Sequence, residues 1–432
     1  MAIRSNGMND ESNPHQRRHS LLGILVVGSL IVAISCGGDP ANRSGDSVRE
    51  TPNDREPAGF RAVAVFGASD EPGEDPLWDP GVLEVVGDRV YVLDRGASSV
   101  TAYSRDGTSV KTFGSHGQGP GEFRRPWGMT ATAERVFVSE ATNRRLHAFS
   151  AVDGEVIYST EVTAAPLFGP MRALSDGTLL AGVVTRDQQT GGSTRPGFAT
   201  ISPEGELVSL ETIGDEELRA PPSQVLRGIG RSGSPERMTF VPPFQPEVVW
   251  TFSHDGAVVL GLTNKYELRL RRRDGSSHTI LGPQSTAPAQ ILPEEAAWYA
   301  AWMNAQVQWT FPDLSWSDEQ LPREKSVFVA LFTDDQDRIW VLRPTGSRPV
   351  EDCDREFPTV REIRQPRRCW EDTLAFDVLG RDNRRLATLA LPDEVVSGPD
   401  LVLTIPGNEM WAVTRRADGN KMITGYAVPA LR

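Results

Sequence analysis

Tryptophan and arginine carry most of the recognisable chemistry in this chain. Pro293-Glu294-Glu295 opens a predicted helix on which Trp298, Tyr299 and Trp302 are spaced to share a side, with Trp309, Phe311 and Trp316 close behind. Indole rings suit both carbohydrate and peptide partners, because they offer a large apolar surface and one polar handle. Taken singly, each aromatic reads as a contact that docks the helix; as a group they could form a sticky wall. Arg95, Arg144, Arg145, Arg172 and Arg343 each read singly as a solvated loop charge. Gathered at one opening, Arg95, Arg144, Arg172 and Arg343 could accept an anionic ligand. No Gly-x-Ser-x-Gly elbow, zinc motif or cofactor fingerprint occurs, so no catalytic residue, metal ligand or cofactor is assigned.

The three cysteines divide by position. Arg17-Arg18-His19 precedes the apolar run Leu21–Ile34, which has the shape of a signal-peptide core and is short for a bilayer span. The run ends in Ala33-Ile34-Ser35-Cys36-Gly37-Gly38, which resembles a bacterial lipobox, with cleavage leaving Cys36 to carry lipid. Residues 1–35 are therefore expected to be a lipoprotein signal peptide, with the twin arginine leaving both general and twin-arginine export open. Lipid on Cys36 leaves Cys353 and Cys369 as an even pair, expected to form a disulfide in an exported protein. Residues 36–60 are polar, with few large apolar side chains, and read as a flexible tether from membrane to domain.

These residues must be positioned by a repeating scaffold. Gly87-Asp88-Arg89-Val90-Tyr91-Val92-Leu93-Asp94, then Val100-Thr101-Ala102-Tyr103-Ser104 and Asp106-Gly107, recur 46 residues later as Ala133-Glu134-Arg135-Val136-Phe137-Val138-Ser139-Glu140, Leu146-His147-Ala148-Phe149-Ser150 and Asp153-Gly154. The alternation predicts half-buried strands ending in tight turns. Looser copies align on Leu179, Val258, Ile339 and Met410; the successive spacings from Val90 are 46, 43, 79, 81 and 71. Six copies predict an all-β, six-bladed β-propeller of four-stranded antiparallel blades over residues 61–432, with one short helical insertion. The last blade lacks an outer strand and 62–66 is an outer strand without a blade, so pairing of 62–66 with 422–428 is expected to close the ring.

Val110-Lys111-Thr112-Phe113-Gly114 leads into Gly119-Pro120-Gly121-Glu122-Phe123, Pro126-Trp127-Gly128, the second strand and an Asn143-Arg144 turn. In this order the chain resembles the NHL-repeat family, most closely over 61–154. Propellers of this general type include lactonases and amidating lyases that hold a divalent metal in the central channel with Glu, Asn, Asp or His. Here His116 falls in a loop, His147 on a third strand, His254 in a turn and His278 at the start of an outer strand. Asp94 and Glu140 end second strands, where an acid braces the following turn.

Strand polarity adds a functional expectation. The long excursions 184–197 and 342–371 join second to third strands, and 211–247 and 282–326 join blades, so all four project from one face. The turns 106–108, 153–155, 204–206 and 274–276, on the other face, stay minimal. The loop-rich face is thus expected to bind a partner. A net charge of −13 argues against nucleic acid, which needs a basic stripe. The reading is a lipoprotein of the bacterial envelope, on the outer membrane or the periplasmic side of the inner one. It is expected to act as a non-catalytic scaffold for a protein, peptide or glycan, with a metal-dependent lactonase or lyase as the alternative.

Overall fold

The computed structural model describes residues 46–47, 59–67, 77–162, 166–187, 193–212, 224–283, 286–316, 321–350, 353, 369–416 and 419–431. The expected signal segment and Cys36 lie outside the described residues, as does the tether apart from 46–47 and 59–60.

Six four-stranded antiparallel sheets follow one another along the chain. Blade 1 runs through Pro80–Val86, Arg89–Asp94, Ser99–Ser104 and Ser109–Phe113, and blade 2 through Pro126–Ala131, Arg135–Glu140, Arg145–Ser150 and Val156–Glu161. Blade 3 is Leu167–Ala173, Leu179–Asp187, Ser193–Ile201 and Leu207–Thr212; blade 4 is Val248–Phe252, Val258–Leu262, Glu267–Arg271 and Ser277–Leu281. Blade 5 is Ala330–Thr333, Ile339–Pro349, Trp370–Leu379 and Arg385–Ala390. Blade 6 takes Leu403–Thr404, Glu409–Arg415 and Lys421–Ala427 from the end of the chain and Arg61–Phe66 from its beginning. Phe66 pairs with Ile423 and Arg61 with Ala427, so the expected ring closure is present. Beside the outer edge of blade 4, Asp46–Ser47 pairs parallel with Ile280 and Leu281.

The landmark residues of the six repeats, Val90, Val136, Leu179, Val258, Ile339 and Met410, all fall in second strands and are buried. The expectation of half-buried second strands needs correction. In blades 1 and 2 the second strand is buried on both faces, Arg89 and Arg135 excepted. The reason is that blades stack face to face, so a middle strand meets a neighbouring blade on either side. Exposure belongs to outer strands such as Ser109–Phe113, where only Phe113 is buried.

Each seam between blades has its own apolar cluster. Tyr91, Leu93 and Phe113 meet Met129, Val136 and Val138 across seam 1/2. Phe137 and Leu146 meet Leu179 and Val183 across 2/3. Leu180 and Phe198 meet Phe252 and Leu260 across 3/4, and Val259 and Leu268 meet Val341 and Leu379 across 4/5. Trp340 and Phe376 meet Met410 and Tyr426 across 5/6, and Trp411 and Ile423 meet Val90 and Val92 across 6/1. The closing seam is therefore as fully packed with side chains as the others, and non-directional apolar burial holds the ring together. At Gly107 (φ 92°) the turn into the last strand of blade 1 enters the left-handed region, and a side chain there would run into Phe66 of the closing strand.

Candidate binding face

Antiparallel strands place the second-to-third turns and the blade connections on one rim. On that rim blade 3 extends its second and third strands to Asp187 and Ser193, and blade 5 extends its own to Pro349 and Trp370. The excursions drawn from sequence as loops are thus partly lengthened hairpins. Beyond blade 5's hairpin a disulfide joins Cys353 and Cys369, with Cα atoms 5.1 Å apart, inside the range such a bridge spans. The connection from blade 3 to blade 4 folds as a two-stranded hairpin, Gln224–Ile229 with Pro235–Phe240. The connection from blade 4 to blade 5 carries the helix Pro293–Thr310.

Helix and hairpin make one layer with a core of its own. Met303, Val307 and Trp316 are buried there, packed by Leu226 and Met238 of the hairpin and by Leu314 and Leu321. The helix starts where proline needs no N–H partner and where Glu295, in the first turn, faces the positive end of the helix. Glu295 is buried and takes a proton donor from each neighbour: Lys325 Nζ at 2.5 Å and Ser347 Oγ at 2.6 Å. Lys325 Nζ also reaches Asp372 Oδ1 at 2.6 Å and lies 5.0 Å from the ring centre of Phe244. Ser347 and Asp372 belong to the extended hairpin of blade 5, so this buried network fixes the helix to the propeller. A lysine so deeply buried is tolerated because two carboxylates compensate its lost hydration.

The aromatic residues singled out in the sequence separate into two sets. Phe311 and Trp316 are buried and dock the layer. Trp298 and Trp302 are half-buried, flanking Tyr299 with ring centres 4.9 and 6.4 Å away, and Phe244 closes the group at 4.8 Å from Tyr299. Phe244 has φ 63°, strained for a bulky residue, and its ring fills the space between Tyr299 and Lys325. Trp309 is 42% exposed and carries the Arg231 guanidinium 4.9 Å above its ring.

The four arginines expected to gather at one opening do not share a site. Arg95 lies 4.8 Å over the Trp127 ring and donates to the carbonyls of Gly81 and Trp127, which ties the blade 1 turn to the inner strands. Arg144 is exposed in the equivalent turn of blade 2, with φ 53°. Arg343 donates to buried Asp377 at 2.7 Å, and Asp377 also accepts from Tyr266 and Thr388. Arg343 is therefore part of the seam between blades 4 and 5. Burial, followed by the neighbouring Asp377 charge, pushes the Tyr266 hydroxyl well above its ordinary range. Arg172 is a correction of place: it pairs with Leu180 near the 174–178 turn, toward the short-turn face. Its Nη1 lies 3.8 Å from Glu84 Oε1, and its buried Nε has no hydrogen-bond partner.

Glu84 was not picked out from sequence, although a charge inside the apolar run Gly81-Val82-Leu83-Glu84-Val85-Val86 was a readable signal. Its side chain is 16% exposed, and burial pushes its carboxyl from the ordinary 4.5 up to about 7 against the opposing pull of Arg172. Asp94 and Glu140 act as expected, bracing turns. Asp94 accepts from the backbone N–H groups of Trp78, Asp79 and Ala97, and Glu140 from those of Arg124 and Arg125. Burial alone would raise the Glu140 carboxyl, but the hydrogen bonds from His147 and these amides outweigh it and hold it at about 2.

Glu140, His147 and Ser159 form a chain, with His147 Nε2 3.3 Å from Glu140 and Nδ1 2.7 Å from Ser159 Oγ. The same cross-strand position holds Thr101 with Thr112 in blade 1 and Asp377 with Thr388 in blade 5. The recurrence reads as internal bracing of third strand to fourth. Among the described residues no three His, Cys, Asp or Glu side chains converge as a metal site requires.

No protein-family model matches the chain, and no curated protein matches it. Among solved structures it is similar to a protein of Bacteroides fragilis named as an exported one, at 9% identity and TM-score 0.49, over 89% of this chain and 99% of that one. It is also similar to a member of the DUF4221 family from Bacteroides vulgatus, at 10% identity and TM-score 0.49, over 85% and 97%. A third is virginiamycin B lyase from Staphylococcus aureus, at 10% identity and TM-score 0.40, over 86% and 100%. At these identities nothing about activity carries across.

Proposed function

We propose that this chain is a lipoprotein of the bacterial envelope, held through Cys36, whose propeller presents its loop-rich face to a protein, peptide or glycan partner without catalysing a reaction on it. The observation that carries this reading is the one-sided layer of helix and hairpin, locked onto blade 5 by the Glu295–Lys325–Asp372 network. The closed ring packs all six seams without it, so the layer adds surface and not closure. A rigid layer also lowers the ordering penalty of association, which is what a recognition surface needs. The disulfide between Cys353 and Cys369 suits an extracytoplasmic compartment.

Site-specific photo-crosslinking in intact cells tests the face. A crosslinking side chain at Ile229, Trp309 or Thr345 should give a discrete adduct, and one at Thr108, Glu155 or Ser276 should give none. Adducts of equal strength from the short-turn positions would refute the assignment. Cys36→Ser should release the chain from the membrane fraction, and unchanged retention would remove the anchor from the reading.

A further inference from the structure

The loop-rich face carries a local charge anomaly. Arg227 and Arg237 are direct cross-strand partners in the hairpin, both exposed, on a chain of net charge −13. Like charges placed opposite each other on a sheet destabilise it. Among the described residues neither guanidinium has an acidic partner. Along Gln224–Ile229 the residues flanking Arg227 on the same side are apolar: Val225 is 37% and Ile229 56% exposed. The opposite side of the hairpin is committed inward, with Leu226 and Met238 in the helix layer and Gly228 against Phe311 and Leu314. The outer side therefore does no packing that would account for two opposed arginines between two exposed aliphatics. An open concavity of about 500 Å³ is lined by Arg227, Gly228, Ile229, Pro235, Glu236 and Arg237.

Resting on the reading of this face as the working surface, we propose that the hairpin docks an extended acidic peptide segment, laid beside Gln224–Ile229 with a carboxylate held between Arg227 and Arg237. Three features favour a strand-like peptide. Alternate residues of a strand repeat every ~6.6 Å on one side, so Val225, Arg227 and Ile229 match a segment that alternates apolar and acidic side chains. Among the described residues the sheet has two strands, and the Pro235–Phe240 strand begins with a proline that lacks an N–H, so Gln224–Ile229 is the better edge for backbone pairing. The hairpin is preorganised by its packing on the helix, which reduces the entropy lost on binding. An anionic bilayer fits less well, since it offers neither backbone groups to pair with the strand edge nor the side-chain alternation that Val225, Arg227 and Ile229 match.

The test uses the full chain in detergent and two fluorescein-labelled octapeptides, one alternating Glu and Val, the other Lys and Val. Fluorescence anisotropy at low salt should show binding of the acidic peptide only, weakening as salt is raised. Arg227→Glu and Arg237→Glu should each weaken it by roughly tenfold, while the melting temperature holds or rises because a like-charge pair becomes an opposite-charge pair. Equal binding of both peptides, or affinity unchanged by both substitutions, overturns the proposal. So does tighter, Arg227-dependent binding of soluble short-chain phosphatidylglycerol than of the acidic peptide, which would reassign the patch to lipid. Failure here with intact adducts from Ile229 and Trp309 removes only the peptide class; loss of those adducts removes the wider reading of the face.

Discussion

Glu84→Gln should make the protein more stable, by an amount that depends on pH. The native carboxyl is pushed from 4.5 to about 7, chiefly by burial, with Arg172 pulling the other way. Between these values the folded chain holds a proton that the unfolded chain has released. Stability from this group is thus fully present below about pH 4.5 and is lost as pH rises through 7. One pH unit of such a difference is worth ~1.4 kcal/mol, so the whole window amounts to about 3 kcal/mol. With the side chain 16% exposed, part of this is relieved by water, and about 2 to 3 kcal/mol is the expected gain from the neutral amide. Urea titrations of both proteins from pH 4.5 to 8 measure it. The gap between the curves should open across the window and stay constant above it. Arg172→Met removes the opposing charge and should carry the widening of the gap to higher pH, while its onset near pH 4.5 stays put. A gap independent of pH would show that Glu84 ionises normally, and would refute the account of the Glu84–Arg172 pair given above.

Lys325→Met strands the buried Glu295 carboxylate and should destabilise the helix layer by about 3 kcal/mol, read as faster hydrogen exchange in 293–310 and 224–240 while blades 1 and 2 stay protected. Glu140→Gln should flatten the acid limb of stability: with the carboxyl held at about 2, the wild type loses ~3 kcal/mol as pH falls from 4.5 to 2, and the amide does not. Breaking the disulfide by Cys369→Ser should lower stability by roughly 3 kcal/mol at most, and limited proteolysis should show the damage confined to 350–369.

The architecture was legible because one strand in every blade meets two neighbours, which forces an apolar run such as Val90-Tyr91-Val92-Leu93 wherever a blade exists. Closure was legible for a related reason, since Arg61–Phe66 is an outer strand with no blade of its own. The same logic fails for the site. Glu295, Lys325 and Asp372 come from three segments with no repeat phase, and only the fold brings them together. Arg172 and Arg343 looked like face residues because their strands were known but their depth along them was not. The Arg227–Arg237 hairpin lay inside the excursion 211–247, where Gly230 and Gly233 mark a turn that could have been read as one.

The ring-closing strand also sets the order of events during folding. Arg61–Phe66 stays unpaired until Lys421–Ala427, at the far end of the repeats, joins it. Until then the first strand has no sheet, and the exposed flank of blade 1 has nothing to cover Val90 and Val92. Joining ends so far apart in sequence is entropically slow, so maturation should be limited by this final annealing step and not by assembly of individual blades. During that interval the open ring displays an unpaired strand edge and a greasy seam, both open to aggregation.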